Sequence, residues 1–74
     1  TPKFAIFELE VPKEWEGRPV IELEVRKKYN VNILGVKSGD VVVPLVDPNY
    51  RFRDDVHIIV AGDKEAGIRL MNLH

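Results

Sequence analysis

The chain has only 74 residues and contains no cysteine, and these two facts limit the folds open to it. A domain of this size buries a modest share of its surface, so its hydrophobic core alone contributes little stability. Without cysteine the chain cannot form a disulfide, a thiolate zinc site or a thiol nucleophile. We therefore expect one domain that gains stability by associating with another chain.

The charged residues are balanced, which narrows the class of partner. Eleven basic and twelve acidic side chains give a net charge of −1. Proteins that bind the phosphate backbone carry a clustered basic excess instead, so we expect no nucleic-acid partner. No apolar run approaches the roughly 20 residues that span a bilayer, so we expect a soluble chain with no direct membrane insertion.

The start of the chain suggests a larger protein. Thr1 and Pro2 lead almost at once into a strand-like segment, without an initiating methionine or a signal peptide. We therefore expect residues 1–74 to be a single domain cut from a longer protein, with one part of that protein's function.

Alternation in the first segment and short apolar runs bounded by turn residues in the others predict four strands. They are residues 4–11, 32–37, 41–43 and 56–61. The turn Ser38-Gly39-Asp40 joins the second and third strands as a hairpin. The fourth strand is the most hydrophobic and is expected at the centre of the sheet. In the connecting loops, we expect Trp15 to cap the core and the aromatic side chains of residues 45–55 to tuck beneath their loop.

Two helices complete the predicted fold. Residues 20–29 alternate like a strand, yet their composition and their C-terminal basic residues favour a helix. Asp63 is a suitable N-cap for a second helix over residues 64–73, with Leu70 and Leu73 facing the core and Gly67 as its weak point. The sequence therefore predicts an α+β fold, a four-stranded mostly antiparallel sheet with two helices in the order β-α-β-β-β-α. Both helices are expected on one face.

The side chains that catalysis or metal binding requires are few. Ser38, the one serine, lies in the hairpin turn, and the two histidines are His57 in a strand and His74 at the C terminus. Asp54 and Asp55 are typical of a solvated loop. We expect His57 to face solvent or a partner chain, and we expect no enzyme activity, no cofactor and no metal site.

The first helix is more apolar than a one-sided helix requires. Its apolar residues are Val20, Ile21, Leu23, Val25 and Tyr29. If Leu23 faces the core, Ile21 and Val25 are left as a surface patch, which is typical of an interface or a ligand platform. Arg26 and Asn32 flank the patch with groups suited to phosphate and to hydrogen bonding. The alternative is an ordinary exposed helix with solvated charges.

Several segments together resemble the C-terminal RCK domain, also called TrkA-C. They are residues 8–12, 15–18, 21–36, 40–44, 47–48, 55–56 and 59–65. The segment IELEVRKKYNVNILGV, residues 21–36, is the most specific, and the resemblance covers nearly the whole chain. It favours a helix over residues 20–29.

The resemblance implies a homodimeric regulatory domain that follows a nucleotide-binding Rossmann lobe, which this chain lacks. Such subunits form cytoplasmic rings that gate potassium channels, transporters or cation antiporters at the inner face of the cell membrane. In the Ktr-like potassium-uptake branch, the resemblance implies cyclic di-AMP bound across the dimer two-fold to control transport. The alternative is a structural dimerisation lobe of a gating ring or antiporter that binds no dinucleotide.

The resemblance also implies the ligand-binding residues. Val20, Ile21 and Val25 would form an apolar wall under the adenines, Arg26 would meet a phosphate, Asn32 would hydrogen-bond the ligand, and Glu24 and Pro48 would line the rim. The spacing from Arg26 to Asn32 matches the branch that binds the dinucleotide. Asn30 replaces a frequent glycine, Glu24 a common aspartate and Asp54 a usual glycine, and none of these changes removes a ligand group.

Overall fold

The computed structural model describes residues 3–73, which form a four-stranded sheet with helices. The strands are β1 (Phe4–Glu10), β2 (Val31–Ser38), β3 (Val41–Pro44) and β4 (His57–Asp63). They lie in the order β1-β4-β2-β3, and every neighbouring pair is antiparallel. β4 lies inside the sheet, between β1 and β2, as its hydrophobic composition predicts.

The helical segments lie on one face of this sheet. They are a 3₁₀ turn at Lys13–Trp15 and the α-helices α1 (Val20–Leu23), α2 (Val25–Tyr29) and α3 (Lys64–Met71). α2 contacts β2, and α3 contacts β1 and β4. The α+β prediction is therefore confirmed, with the first helix in two pieces. No helix within residues 3–73 is long and apolar enough to cross a membrane.

The core lies between that face and the helices. Leu9 of β1 pairs with Ile58 of β4, and they are only 5% and 0% exposed. Trp15 is completely buried, with ring centroids 5.1 Å from Tyr29 and 5.5 Å from Phe52. The prediction that Trp15 caps the core is confirmed, because one large indole closes the space between the loop and the sheet.

The prediction of one helix over residues 20–29 is wrong at Glu24. This residue adopts a left-handed conformation, φ +46° and ψ +54°, which separates α1 from α2. Residues two apart on a continuous helix differ in direction by about 200°, so one helix could not turn both Leu23 and Val25 inward. With the break, both are buried, 2% and 7% exposed, while Ile21 is 63% exposed. The expected surface position is thus confirmed for Ile21 and wrong for Val25.

The loop between β3 and β4 folds against the start of α1. The Ile21 N–H donates to the Pro48 carbonyl and the Val20 N–H to the Tyr50 carbonyl, each at 2.9 Å. These bonds satisfy N–H groups that a helix start leaves without intrahelical partners. Phe52 is buried and Tyr50 half-buried, as predicted for this loop. Pro48 is therefore fixed beside Ile21.

α3 begins at the predicted N-cap, but its packing against β1 was not predicted. The Asp63 side chain accepts a hydrogen bond from the Glu65 N–H at 2.8 Å, and Leu70 is buried. At Gly67, the predicted weak point of the helix, an added Cβ would collide with the Phe7 ring. α3 approaches β1 closely because residue 67 has no side chain.

Glu24→Gly should raise the free energy of unfolding by about 1 kcal/mol, because a Cβ is disfavoured in the left-handed region by roughly that amount. The ion pairs lost with Lys27 and Lys28 are long, at 3.7 and 4.0 Å, and largely exposed, so they contribute little. Urea denaturation followed by the fluorescence of Trp15 measures the change.

Asn30→Gly is the matched control for this prediction. Asn30 also has a positive φ, +58°, but asparagine tolerates that region better than glutamate does. Its substitution should therefore stabilise less. A larger gain for Asn30→Gly, or a loss of stability for Glu24→Gly, would contradict the account of the helix break.

Candidate functional site

A shallow groove lies where α1 and α2 meet the start of β2, and we call it the α1–β2 groove. Its volume is about 420 Å³, within the range of small-molecule pockets, roughly 300–1,000 Å³. The lining residues are Val20, Ile21, Glu24, Val25, Arg26, Lys27, Val31, Asn32, Ile33 and Leu45. Of the residues predicted for ligand binding, all but Pro48 line this groove. Pro48 is held next to its edge by the hydrogen bond from Ile21.

The groove has an apolar floor and an exposed apolar rim. Val25 and Val31 are buried, 7% and 2% exposed, and form the floor, while Ile21 stands 63% exposed above it. Leu45 and Ile33 are half-buried along its length. A flat apolar group could therefore lie on the valines and be covered on one side by Ile21.

A cation and an amide stand at one end of the groove. Arg26 is the second residue of α2 and Asn32 the second residue of β2. Asn30, with φ +58°, ends α2 and turns the chain directly into the strand, which brings the two side chains to one place. Both also line an adjoining cavity of about 400 Å³, so they can be reached from two sides.

The charges around Arg26 favour an anion. Glu24 places its carboxylate 3.7 Å from Lys27 Nζ and 4.0 Å from Lys28 Nζ. Arg26 forms no ion pair within residues 3–73. Its forked guanidinium is therefore available for a phosphate, which it can bind through two parallel hydrogen bonds.

Sequence reasoning missed part of the groove. Val31 and Ile33 flank Asn32 on β2 and were not predicted as groove residues. Successive side chains of a strand point to opposite faces, so this apolar-polar-apolar pattern was a usable signal. Lys27 was also missed, although its position next to Arg26 in the sequence was a usable signal. Leu45 comes from a distant loop and could not have been found without the tertiary contacts.

His57 lies on the open face of the sheet, away from the helices, and faces solvent as expected. Its Nδ1 is 2.8 Å from Glu8 Oε2, and Lys37 Nζ is 3.2 Å from Glu8 Oε1. Both contacts lower the pKa of Glu8, and the hydrogen bond with His57 has the larger effect. Within residues 3–73 no group of three or more histidine or acidic side chains could hold a metal ion. His74 lies outside the described residues.

Comparison with known proteins agrees with the family resemblance found in the sequence. The TrkA-C domain model matches residues 4–74, which confirms the family resemblance. No curated protein matches the chain.

Solved structures share the fold. The RCK C domain of the potassium transport protein KtrA, in complex with cyclic di-AMP, is 25% identical with a TM-score of 0.78, over 90% of this chain and 79% of that one. The RCK_C dimer of S. agalactiae BusR with cyclic di-AMP is 22% identical, TM-score 0.73, over 88% of both chains. The GsuK channel bound to NAD is 17% identical with a TM-score of 0.77. The match covers 92% of this chain but 13% of the channel chain.

Glu8→Gln should flatten the dependence of stability on pH between about pH 6 and pH 3. The folded-state pKa of Glu8 lies below its ordinary value of 4.5, because His57 and Lys37 bind its carboxylate. The resulting stability is present above that ordinary value and is lost as the pH falls through the lowered one. Urea denaturation across this pH range measures the slope.

Glu10→Gln is the matched control, because Glu10 is an exposed glutamate on the same strand. It should leave most of the slope in place. Equal slopes for the unsubstituted chain and Glu8→Gln would contradict the role assigned to the contacts of Glu8 with His57 and Lys37.

Proposed function

The chain belongs to the TrkA-C domain family, and from that premise we propose that it is the regulatory lobe of a potassium channel or transporter gating subunit that binds cyclic di-AMP between two copies. The observation that carries the proposal is the α1–β2 groove, where an apolar wall adjoins Arg26 and Asn32. The KtrA domain, 25% identical, was solved with this dinucleotide. In this proposal the chain is part of a longer cytoplasmic protein with a Rossmann lobe, held at the membrane by its transporter.

The groove offers each part of the dinucleotide a suitable group. An adenine is flat and largely apolar, so it can lie against Val20, Ile21 and Val25. The phosphate carries a full negative charge that the Arg26 guanidinium can bind by two charge-assisted hydrogen bonds. Asn32 has both donors and an acceptor, so its amide can bind a base edge or a ribose hydroxyl.

The rim residues fit the same arrangement. Glu24 is exposed and directs its carboxylate to Lys27 and Lys28, so its negative charge is partly neutralised near the phosphate. Pro48 is exposed and fixed beside Ile21 by the hydrogen bond to its carbonyl. Both therefore form the edge of the groove without competing for Arg26.

Two copies are needed because the groove is open. A ligand in one copy would keep one side in water, since Ile21 is 63% exposed and nothing within residues 3–73 covers it. Cyclic di-AMP has two-fold symmetry, so a second copy related by a two-fold axis would present the same wall and a second Arg26 to its other half. The ligand would then be enclosed by two identical surfaces.

Regulation follows from this geometry. A ligand that contacts both copies binds only when the two grooves face each other, so it stabilises that arrangement over all others. In a longer subunit, the change in population would be passed to the transporter through the attached lobe. The direction of the effect depends on which arrangement opens the transporter.

Calorimetric titration with cyclic di-AMP tests the proposal. We expect saturable binding of one dinucleotide per two chains. Arg26→Ala removes a guanidinium from each copy and should weaken the affinity by about 100-fold or more, because each hydrogen bond to a charged group contributes roughly 1.5–3 kcal/mol. Arg69→Ala is the matched control, since Arg69 is an exposed arginine on α3 that does not line the groove, and its affinity should be unchanged.

Two results would contradict the proposal. Absence of heat at micromolar protein and ligand would leave the domain as a dimerisation lobe without a dinucleotide. An equal loss of affinity in Arg26→Ala and Arg69→Ala would show that the ligand binds elsewhere.

Linear AMP should bind much more weakly than the cyclic dinucleotide, because it cannot reach both copies.

A further inference from the structure

The β1 strand forms a long free edge of the sheet. It pairs only with β4, in a register that runs without a bulge from Phe4 to Glu10. It contains no proline, and within residues 3–73 no other segment forms main-chain hydrogen bonds with its outer side. Proteins normally protect such an edge with a bulge, a proline, charged side chains or a covering segment. Of these devices β1 has only two charged side chains, Glu8 and Glu10.

The register shows which main-chain groups of β1 are free. The Lys64 N–H donates to the Lys3 carbonyl at 2.8 Å, one position before the first pair of the ladder. Hydrogen-bonded and non-hydrogen-bonded pairs alternate along an antiparallel ladder. Counted from that bond, every second residue of β1 directs its N–H and C=O to the open edge. These outward residues are Phe4, Ile6, Glu8 and Glu10.

The side chains of the outward residues lie on the sheet face away from the helices. Phe7, which alternates with them, packs on the helix side against Gly67 of α3. Phe4 and Ile6 are 68% and 67% exposed, and the two glutamates that follow are exposed as well. A strand added at this edge would place its own side chains directly beside them. The edge therefore has an apolar first half and an acidic second half.

A groove of about 770 Å³ follows the acidic half of the edge. Residues from both faces of β1 and from α3 line it, so it extends around the edge. Its charged side chains are four carboxylates and one amine, those of Glu8, Glu10, Glu16, Asp54 and Lys13. Three of the carboxylates, on Glu10, Glu16 and Asp54, form no ion pair with any residue of the range 3–73. The groove therefore favours a cation.

We infer that the β1 edge binds an extended basic segment of a partner protein, which joins the sheet as an additional strand antiparallel to β1. Every second residue of the segment would form a hydrogen-bonded pair with one of the outward residues. The segment would carry basic residues opposite Glu10 and Glu8, and apolar residues opposite Ile6 and Phe4. Main-chain bonds would supply the affinity, and the side chains on the open face would select the partner.

The charges distinguish this partner from other strands. A second copy of β1 does not fit, because β1 contains no basic residue and would bring no cation to Glu8 or Glu10. A neutral strand would cover the Glu10 carboxylate without replacing its water by a cation. Glu8 already contacts His57 and Lys37, so we expect Glu10 to contribute most to the selection.

Binding at the β1 edge does not depend on the dinucleotide. No residue of β1 lines the α1–β2 groove, and the measurements that follow need no cyclic di-AMP. The edge offers a strand of seven residues, which is less than a standard interface, so we expect an affinity in the micromolar range or weaker. Failure of this binding and failure of the proposed function are therefore separate results.

The probe is a peptide capped at both ends, Lys-Thr-Lys-Thr-Val-Thr-Val, aligned with its first lysine opposite Glu10 and its last valine opposite Phe4. Hydrogen exchange measured by NMR reports on the edge. The amides of Ile6 and Glu8 should exchange rapidly in the free chain and about tenfold more slowly at saturating peptide, because each gains an acceptor. The amide of Phe7 already bonds to β4 and should change much less.

Methylation of the peptide nitrogens separates strand addition from charge attraction. An N-methyl group on the third residue, whose N–H would face β1, removes a hydrogen bond and obstructs the pairing. It should weaken the affinity about tenfold. An N-methyl group on the fourth residue, whose N–H would face solvent, keeps the same charge and composition and should change the affinity little. Equal affinity of the two methylated peptides would overturn the inference.

Charge reversal tests the alignment. Glu10→Lys should weaken binding of the probe about fivefold, and a peptide with glutamate as its first residue should regain that loss. Glu65→Lys is the matched control, because Glu65 is an exposed glutamate on α3 that does not line this groove. It should not change the order of the two peptides. Circular dichroism should show both variants folded.

Three further results would overturn the inference, whatever the calorimetry with cyclic di-AMP shows. One is the absence of protection in β1 at millimolar peptide. Another is equal binding of a peptide with threonine in place of both lysines. The last is protection of the outward amides that rises with chain concentration without peptide, since a second copy would then occupy the edge.

Discussion

The structure depends on burying Leu23 and Val25 together, although they are only two residues apart in a helical segment. A regular helix would send one of them to solvent, and a domain this small needs every apolar side chain that it can bury. The left-handed conformation of Glu24 resolves the conflict. It ends α1 after four residues and restarts the chain as α2, turned so that both side chains reach the core. Ile21 is left outside as the rim of the groove.

A second left-handed residue completes the site. Asn30 closes α2 and sends the chain into β2, so a five-residue helix is bracketed by two positive φ angles. The aromatic cluster holds this helix from below: Tyr29, its last residue, packs edge-on against Trp15 and donates a hydrogen bond to Glu14 at 2.8 Å. The Trp15 indole N–H has no hydrogen-bond partner within residues 3–73, so packing alone holds the ring. Arg26 is positioned by this packing and not by ion pairs of its own.

Apolar side chains remain exposed on several surfaces, among them Ile21 at the α1–β2 groove, the valines of β3, and Phe4 and Ile6 of β1. They share one cause, since a sheet of four strands with helices on one face cannot cover all of its apolar side chains with its own chain. The groove combines apolar side chains with a cation and an amide and so suits a ligand. The open sheet face also carries the contact of Glu8 with His57 and Lys37.

The sequence by itself determined the four strands, the Asp63 cap, the buried Trp15 and the membership of the TrkA-C family, because alternation, capping and motif are local properties of the chain. It also named most of the residues that line the groove, through the resemblance. Only the tertiary structure decided the break at Glu24, the burial of Val25, the contact between Gly67 and Phe7, and the arrival of Leu45 in the groove. Glutamate carries no local preference for a left-handed conformation, and strand order and close approach are set by residues far apart in the chain, so pattern reading could not reach them.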